Sequence, residues 1–396
     1  MHRRFFLRSL GVLGCSAAAH PFLTSVTLAE ATKAGGAPLG EHRLVVAILR
    51  GAMDGLDAVQ PVDDPLFARY RPTLANAAAL PLSGGFALHP GLGGLIPLWE
   101  AGELAFAHAV STPYRDKRSH FDGQDLLEAG TGMDAPGALR REGWLNRMLQ
   151  AVPGLTAETA FAVGREALPL LAGAAPAMSW APDQTLPLSP QGQLLLEHIY
   201  HDDDLFREAG AEAMLLAGEP TAASAAPAGN RQVRDIDALV AFAGERLRGA
   251  TRIAAFSLGG WDTHRGQRNT IGAPLSRLEH TVLQLKATLG PEVWGKTLFL
   301  AMTEFGRTAR ENGTGGTDHG TGGLLVMAGG ALKGAQVLGR WPGLADLYAG
   351  RDLMPTSDVR AWAAWGMHAL YGLDRGILER AVFPGLDMGD DPRFLA

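Results

Sequence analysis

The feature that most constrains the fold is a series of short, apolar runs separated by longer stretches with helical periodicity. The first run, Leu44 to Leu49, contains no polar residue, as expected of a strand buried on both faces of a sheet. Similar runs lie at 104–110, 253–258, 298–302 and 324–328. Helical candidates lie between or after them, at 235–247, 275–289 and 359–371. This alternation predicts an α/β fold with a mostly parallel central sheet covered on both faces, a three-layer sandwich.

Composition narrows the functional classes. Of the 396 residues, 46% are apolar and 19% charged, so the chain can bury a substantial core and is not intrinsically disordered. A formal net charge of −6 argues against a nucleic-acid-binding protein that neutralises phosphates. Cys15 is the single cysteine, so we expect neither an intramolecular disulfide nor a cysteine-based zinc site. The 12 histidines are therefore the main nitrogen ligands available to a metal.

The N-terminus resembles a bacterial export signal. Arg3 and Arg4 precede Phe and Leu as in twin-arginine signals, and the segment ending at Ala31 matches a small-residue cleavage site. We expect residues 1–31 to be a signal peptide rather than a basic arm. The twin-arginine translocase would then be a partner during export, and the mature protein would be periplasmic or extracellular. Cys15 ends a lipobox-like sequence, so we expect membrane anchoring only if this cysteine is lipidated.

The rest of the chain is expected to be one domain over residues 42–390. Stretches rich in Ala, Pro, Gly and Ser near 166–192 and 216–230 predict insertions or loops rather than core elements. The phosphate-binding GxxxxGK[ST], the GxSxG elbow and the Rossmann GxGxxG are all missing from the sequence. Kinase, NTPase, α/β-hydrolase and NAD-dependent functions are therefore unsupported.

Acidic and histidine side chains follow the predicted strands, among glycines that allow close backbone approach. Ligands of open α/β sheets bind beyond the carboxyl ends of the strands. The candidates at these ends are Asp54, Asp262, His264, Glu304, Asp318 and His319. Singly, each has an ordinary explanation as a helix cap or a turn residue. Their repetition predicts a shared site for one or two divalent metal ions, zinc, manganese or magnesium.

A further candidate segment, 114–122, follows the second apolar run and is expected to open a helix. Ser119 either caps that helix or acts as a metal-activated nucleophile. Arg115 and Arg118 could hold an anionic oxygen as bidentate donors, as could Arg50 and Arg307 on other strand ends. His120 would add a metal ligand.

The remaining histidines are weaker candidates. His198 and His201 precede three aspartates and are expected to be an exposed polar helix end. His280 and His368 fall in amphipathic helices and are expected to pack or to lie at the surface. His89 and His108 are left open between a supporting role at the site and the core.

Together these motifs resemble the bacterial twin-arginine-exported family called domain of unknown function 1501. The resemblance rests on residues 50–61, 86–92, 119–130, 258–264, 303–323 and 339–344. It implies a divergent branch of the alkaline phosphatase and sulfatase superfamily, whose members are α/β sandwiches with two divalent cations and a Ser, Thr or modified Cys nucleophile. By this resemblance, Asp54 would bridge the metals and Ser119 would be the nucleophile. Asp262, His264, Glu304 and His319, with Asp318 beside it, would be metal-site residues.

The chain departs from the superfamily pattern at two places. A single residue separates Asp262 from His264, which is closer than usual, and Glu304-Phe305 stands where the superfamily has Asp-His. One histidine ligand is thus missing, and His120 or Asp318 could replace it. The expected metal site is rich in carboxylates, which favours hard or borderline cations.

The leading hypothesis is an exported metal-dependent hydrolase that acts on small-molecule or polymeric phosphate or sulfate esters through Ser119. One alternative is a non-catalytic metal- or glycan-binding protein of the cell envelope on the same fold. Another is a Ser-His-Asp esterase that uses Ser119 without a metal.

Overall fold

A computed structural model of the chain describes residues 39–182 and 231–396, with the backbone alone at 231–234. The predicted signal peptide with Cys15, the pair His198 and His201, and the predicted insertion at 216–230 lie outside the described residues.

The strands β1 to β14 are, in chain order, Arg43–Leu49, Val59–Gln60, Leu80–Pro81, Ala87–Leu88, Leu104–Ser111, Ala160–Val163, Met178–Trp180, Ile253–Leu258, Thr297–Met302, Gly323–Ala328, Gln336–Leu338, Leu347–Tyr348, Asp352–Leu353 and Ser357–Asp358. The helices α1 to α11 are Gly55–Ala58, Phe67–Tyr70, Ile96–Glu100, His120–Ala129, Gly137–Arg140, Trp144–Gln150, Arg231–Arg248, Gln267–Thr270, Gly272–Trp294, Val359–Tyr371 and Arg375–Ile377. The five apolar runs correspond to β1, β5, β8, β9 and β10.

A mixed sheet forms the centre of the described part of the chain. Its order is β11–β5–β10–β9–β1–β8–β6–β7, and β14 pairs with β5. β1 runs parallel to both neighbours, so that Val46 pairs with Ala255 of β8 and with Leu300 of β9. β10 runs antiparallel to β5 and to β9. The other pairings in this sheet are parallel, which confirms the predicted mostly parallel sheet.

Helices cover both faces of the sheet. Successive residues of β1 point to opposite sides, because side chains alternate along a strand. Val46 belongs to an apolar cluster with residues of α6 and α10, whereas Ala47 belongs to a second cluster with residues of α7 and α9. The uninterrupted apolar sequence of β1 follows from these two cores, and the predicted three-layer sandwich is confirmed.

One expectation fails at the sheet edge. Within 166–192, the residues Met178–Trp180 form β7, which pairs in parallel with β6. The prediction of a loop was wrong here because a three-residue edge strand is too short to show alternation. No helix among the described residues has the length and apolarity needed to cross a bilayer.

The strand directions determine which loops meet. β10 is antiparallel to both β5 and β9, so β5, β9, β1 and β8 all run in the same direction. Their carboxyl ends therefore share one edge. The loop at 303–322 leaves β9 at this edge, and the antiparallel β10 begins at the same edge. The candidate residues after all four strands are thereby brought to one end of the molecule.

Candidate metal centre

Three imidazoles converge on one carboxylate oxygen at this edge. The Nε2 atoms of His264, His120 and His319 lie 3.0, 3.3 and 3.3 Å from Oδ1 of Asp262. Those of His264 and His319 are 2.9 Å apart. His120, Asp262 and His319 each offer a ligand atom within 4.8 Å of the others. Residues from two separate loops and from the start of α4 thus share one small volume.

An oxygen acceptor faces the other ring nitrogen of each histidine. Nδ1 of His120 lies 2.8 Å from Oε1 of Glu304, and Nδ1 of His264 lies 3.0 Å from Oδ1 of Asp318. Nδ1 of His319 lies 2.8 Å from the carbonyl oxygen of Arg118. A carbonyl or carboxylate oxygen accepts, so each Nδ1 carries the hydrogen. In the neutral imidazoles, Nε2 is then the atom with a free lone pair, which is how metal-binding histidines are commonly oriented.

Glu304 supports His120 from behind and is not directed at Asp262. Its carboxylate is fully buried. Oε1 accepts hydrogen bonds from Gly51 N and Gln124 Nε2, each at 3.0 Å, and Oε2 accepts one from Thr303 Oγ1 at 2.9 Å. Burial alone would raise the pKa of Glu304, but the bonds from His120 and Gln124 lower it overall. The bond to Glu304 in turn raises the pKa of His120. This geometry differs from the expectation that Glu304 is itself a ligand.

Asp318 has the corresponding role beside His264. Its Oδ1 also accepts a hydrogen bond from Nδ2 of Asn312 at 3.0 Å, which lowers the pKa of Asp318. The same Asn312 amide donates to the His264 carbonyl oxygen at 2.9 Å. Gly316 packs in this turn, where a Cβ atom would collide with the His264 backbone. The glycine-rich loop can therefore approach His264 closely enough for Asp318 to reach the ring.

Arg307 ties together the loops that carry these residues. Its guanidinium is buried. Nε donates to the carbonyl of Ala52 at 2.9 Å, Nη1 to that of Thr317 at 3.0 Å, and Nη2 to that of Trp261 at 3.1 Å. Nη2 also lies 2.5 Å from Oδ1 of Asp262. With its donors occupied in this way, Arg307 is not free to hold substrate oxygens, as the sequence had suggested it could.

The same contact controls the charge of Asp262. Partial burial would raise its pKa, but the hydrogen bond and charge of Arg307, with smaller contributions from His264 and His120, lower it to about 2. Asp262 is therefore a carboxylate at neutral pH and presents a negative charge to the three imidazoles.

Asp54 is not brought into this group. It caps α1 from a fully buried position, and its Oδ1 accepts from Leu56 N. Its Oδ2 accepts from Arg71 Nη1 and Gln267 Nε2, each at 2.7 Å, and from Thr317 Oγ1 at 3.2 Å. Both oxygens are engaged, so the structure departs from the expected metal-bridging position.

Ser119 lies immediately before His120 as the N-cap of α4. Its Oγ accepts from Asp122 N at 3.4 Å, and its own N–H donates to the Tyr114 hydroxyl at 2.7 Å. The helix that the sequence predicted at this point is confirmed. The nucleophilic role of Ser119 stays a prediction.

The neighbouring arginines differ from each other. Arg115 turns back onto its own loop, where its Nη2 donates to Ser111 Oγ at 3.1 Å and its Nη1 to the carbonyls of Thr112 and Tyr114. Arg118 uses its carbonyl to hold His319, and its guanidinium is 39% exposed. Arg50 lies in ion pairs with Glu128 and Glu166.

Phe305 forms an aromatic wall where the superfamily pattern has a histidine. Its ring is buried and stacks on His120, with centroids 5.3 Å apart, and it lies 5.1 Å from the His319 ring. Sequence reasoning missed this contact, as it missed Gln124, Asn312 and Arg71. Of these, Gln124 could most easily have been predicted, since a residue four positions after His120 lies on the same helix face.

Four other histidines have partners away from the centre. His89 Nδ1 accepts from Gly91 N, and His280 pairs with Asp237. His108 Nε2 meets the Val59 carbonyl, and His368 Nδ1 meets that of Leu373.

The convergent atoms fit a bound cation. Nε2 of His120 is buried and has no hydrogen-bond partner among the described residues. Two unprotonated Nε2 atoms only 2.9 Å apart have opposed lone pairs, which a shared cation relieves. The imidazole nitrogens of His120 and His319 and a carboxylate oxygen of Asp262 are donors typical of zinc and of similar borderline metals, and His264 lies beside them. The centre is richer in imidazole than the sequence had indicated.

These features define a three-layer α/β protein with a histidine–aspartate cluster at the carboxyl edge of its sheet. A family model described as "Protein of unknown function (DUF1501)" matches residues 101–360, and the chain belongs to this family. No curated protein matches the chain significantly.

Two solved structures show a distant likeness to the chain. One is the C-terminal periplasmic domain of EcEptC from Escherichia coli in complex with Zn, with 10% identity, a TM-score of 0.41, and coverage of 87% of this chain and 87% of that chain. The other is a protein in the alkaline phosphatase superfamily from Vibrio parahaemolyticus, with 12% identity, a TM-score of 0.39, and coverage of 88% and 71%. At such scores, the chemistry of the site has to be argued from this chain's own residues.

Proposed function

We propose that the mature protein is an exported, metal-dependent hydrolase of phosphate or sulfate esters. The observation that carries the proposal is the convergence of three histidine Nε2 atoms on Asp262 Oδ1, with an oxygen acceptor at each Nδ1. His120, His264, His319 and Asp262 would hold one divalent ion, and Glu304 and Asp318 would orient the imidazoles. The superfamily that the sequence resembles and the twin-arginine-like N-terminus support ester hydrolysis and export.

The chemistry would centre on Ser119. A divalent ion in this donor set would supply a Lewis acid that polarises the ester and lowers the pKa of a nearby hydroxyl. Ser119 Oγ would attack the phosphorus or sulfur from the start of the ten-residue α4, losing its proton to water, while the ester oxygen leaves as the alcohol and takes a proton from water. A second water would then cleave the seryl ester, releasing phosphate or sulfate and restoring the serine hydroxyl. The amides of that helix end stabilise negative charge on the attacked group. Arg307 keeps Asp262 ionised for ion binding throughout.

Metal analysis of the purified mature protein tests the metal assignment first. We expect about one tightly bound zinc-class ion, lost in H319A and in H264A. His42 precedes β1 at the opposite edge of the sheet and is a matched control, so H42A should keep the ion. A wild type that binds no ion after incubation with Zn, Mn or Mg would contradict the proposal.

Turnover tests the nucleophile separately. S119A should lose hydrolysis of an aryl phosphate or aryl sulfate and keep its metal. Ser83, whose hydroxyl bonds to a remote carbonyl at the surface, supplies the control S83A, which should be unaffected. Unchanged turnover in S119A would remove Ser119 from the mechanism. Full esterase activity in a chelator would support the metal-free Ser-His-Asp alternative.

The second candidate function is a non-catalytic metal- or glycan-binding protein of the cell envelope. Two observations favour it: Phe305 occupies the place of a superfamily histidine, and the Ser119 hydroxyl is engaged in capping α4. Bound metal without turnover of any ester, together with S119A behaving like the wild type, would establish this alternative.

A further inference from the structure

Two arginines flank His319 on the side of its backbone. Arg351 donates from Nη2 to the His319 carbonyl oxygen at 2.9 Å. Arg118 accepts the Nδ1 hydrogen of the same histidine through its own carbonyl at 2.8 Å. Each arginine is thus one hydrogen bond away from a residue of the candidate metal centre.

One buried carboxylate anchors both guanidiniums. Asp352 is fully buried, and its Oδ2 accepts from Thr321 Oγ1 at 2.9 Å. Its Oδ1 accepts from Arg351 Nη1 at 3.0 Å, and its Oδ2 lies 3.8 Å from Arg118 Nη2. A single negative charge therefore holds two positive groups next to each other at the rim of the centre.

The guanidiniums of Arg118 and Arg351 have N–H groups that are not used in hydrogen bonds among the described residues. Within the part of the chain that the structure describes, the only partner of the Arg118 guanidinium is Asp352, and at 3.8 Å this contact is an ion pair without a hydrogen bond. Arg351 uses two of its five N–H groups and is 33% exposed. Guanidiniums with unused donors at a rim suit an oxyanion, which accepts two parallel bonds from each.

The backbone under Arg118 is strained in a way that serves this placement. Asp116 and Arg118 adopt φ values of 68° and 54°, in the left-handed region that non-glycine residues seldom occupy. Such conformations persist where the surroundings enforce them and often mark functional sites. Here the turn directs the Arg118 carbonyl at His319 and leaves the guanidinium beside Asp352.

We propose that Arg118 and Arg351 form the anion-binding subsite of the centre and that its ligand is the dianionic group of a phosphate monoester. The proposal rests on the proposed function and names its substrate class. Two adjacent guanidiniums attract a dianion more strongly than a monoanion, because the Coulomb energy scales with the product of the charges. A sulfate ester carries one negative charge, so the subsite selects phosphate over sulfate.

Binding of inorganic phosphate and of methanesulfonate, a monoanion like a sulfate ester, tests the subsite without turnover. Calorimetry on the mature protein above the second pKa of phosphate, where phosphate is a dianion, measures both. We expect the phosphate Kd to rise about tenfold or more in R118A and in R351A, as for the loss of a charged hydrogen bond. The methanesulfonate Kd should change by about threefold or less, since a monoanion gains less from each charge. Arg340, which is exposed and belongs to another loop, supplies the matched control R340A, which should bind phosphate like the wild type.

Further variants separate binding from folding. R351K keeps the charge and should recover part of the phosphate affinity, and R118K likewise. Metal content of all variants should match the wild type, and so should the unfolding midpoint of R118A. R351A should unfold earlier, because it removes the close partner of the buried Asp352, so binding is measured well below its midpoint. Phosphate affinity unchanged in both alanine variants, or phosphate and methanesulfonate weakened equally, would overturn the proposal.

Failure of the anion subsite can be distinguished from failure of the proposed hydrolase function. A wild type that binds phosphate through both arginines but turns over no ester refutes the hydrolase and keeps the anion subsite. A wild type that hydrolyses aryl phosphate while both alanine variants keep its KM refutes the subsite and keeps the hydrolase.

Discussion

The Glu304 carboxylate lies behind His120 and accepts the hydrogen of its Nδ1. This position determines how a substitution of Glu304 would change metal affinity. The carboxylate fixes the tautomer of the imidazole and increases the basicity of the ring. It is itself held by a backbone amide, a glutamine and a threonine, so the support does not depend on solvent. The residue therefore acts on metal affinity through another side chain.

We predict that E304A weakens zinc binding about 10- to 100-fold, the range typical of lost outer-shell partners. E304Q should lose less, because its amide oxygen still accepts from His120 Nδ1. Competition with a chromophoric chelator measures the affinities. Glu100, exposed at the end of α3, supplies the control E100Q, which should bind zinc normally. Equal affinities for wild type and E304A would contradict the assigned role.

At the scale of elements, a buried arginine joins the segment after α2 to the N-cap of α1 by an ion pair and to the loop after β9 by hydrogen bonds. Arg71 follows α2 directly and is fully buried. It donates to Asp54 Oδ2 at 2.7 Å and to the carbonyls of Thr308 and Ala309 at 2.8 and 3.1 Å. Asp54 thereby stabilises the packing of three segments.

We predict that R71M lowers the free energy of unfolding by about 3–5 kcal/mol, because it leaves the Asp54 carboxylate buried without its partner. Urea unfolding measures the change. Arg69 of α2 is exposed, so the matched variant R69M should change stability by about 0.5 kcal/mol or less. If R71M is as stable as R69M, the pair contributes nothing to the fold.

The sheet was largely predictable from sequence, and its one reversed strand was not. The runs at β1, β5, β8, β9 and β10 are apolar throughout because helices cover both faces of the sheet. For the same reason, the sequence does not show in which direction β10 runs. This strand is buried between two neighbours, so its composition would be the same whether it ran parallel or antiparallel. β7 was not predicted, because three residues are too few to show the alternation of a strand.

The residues of the centre were predictable as a group, but their individual roles were not. Acids and histidines after strands predict a common edge, and six of the seven expected metal-site residues lie there together. Whether Glu304 faces an ion or a ring nitrogen depends on the path of the loop at 303–322, which glycines set and periodicity does not reveal. The pairing of Asp54 with Arg71 was not predictable, because Arg71 comes from a segment with no distinguishing pattern.

At the scale of the molecule, stability should depend on a histidine buried within the sheet. His108 in β5 is fully buried and donates from Nε2 to the Val59 carbonyl at 2.8 Å. Burial lowers its pKa to about 4. The unfolded chain takes up a proton near the ordinary value, so this contribution to stability is complete above about pH 6.5 and is lost as the pH falls towards about 4.

We predict that chelator-treated wild type loses about 3 kcal/mol more stability than H108Q between pH 7 and pH 4. Comparing variants cancels the opposite trend from Asp57, whose burial raises its pKa to about 6. Urea unfolding at the two pH values provides the measurement. His42 is half-buried immediately before β1, and the control H42Q should follow the wild type. Parallel losses in wild type and H108Q would show that His108 titrates normally in the folded protein.

The contacts of Arg307 also determine whether folding or ion binding comes first. One guanidinium joins the loops at 51–52, 261–262 and 317, so the donor set comes into existence only when all three strand ends have met. An unfolded chain offers no such set, and an ion can join only after the sheet has closed. If the proposed twin-arginine export carries the chain out after folding, the choice of ion is made in the cytoplasm, where the supply of metal ions differs from that outside the cell membrane.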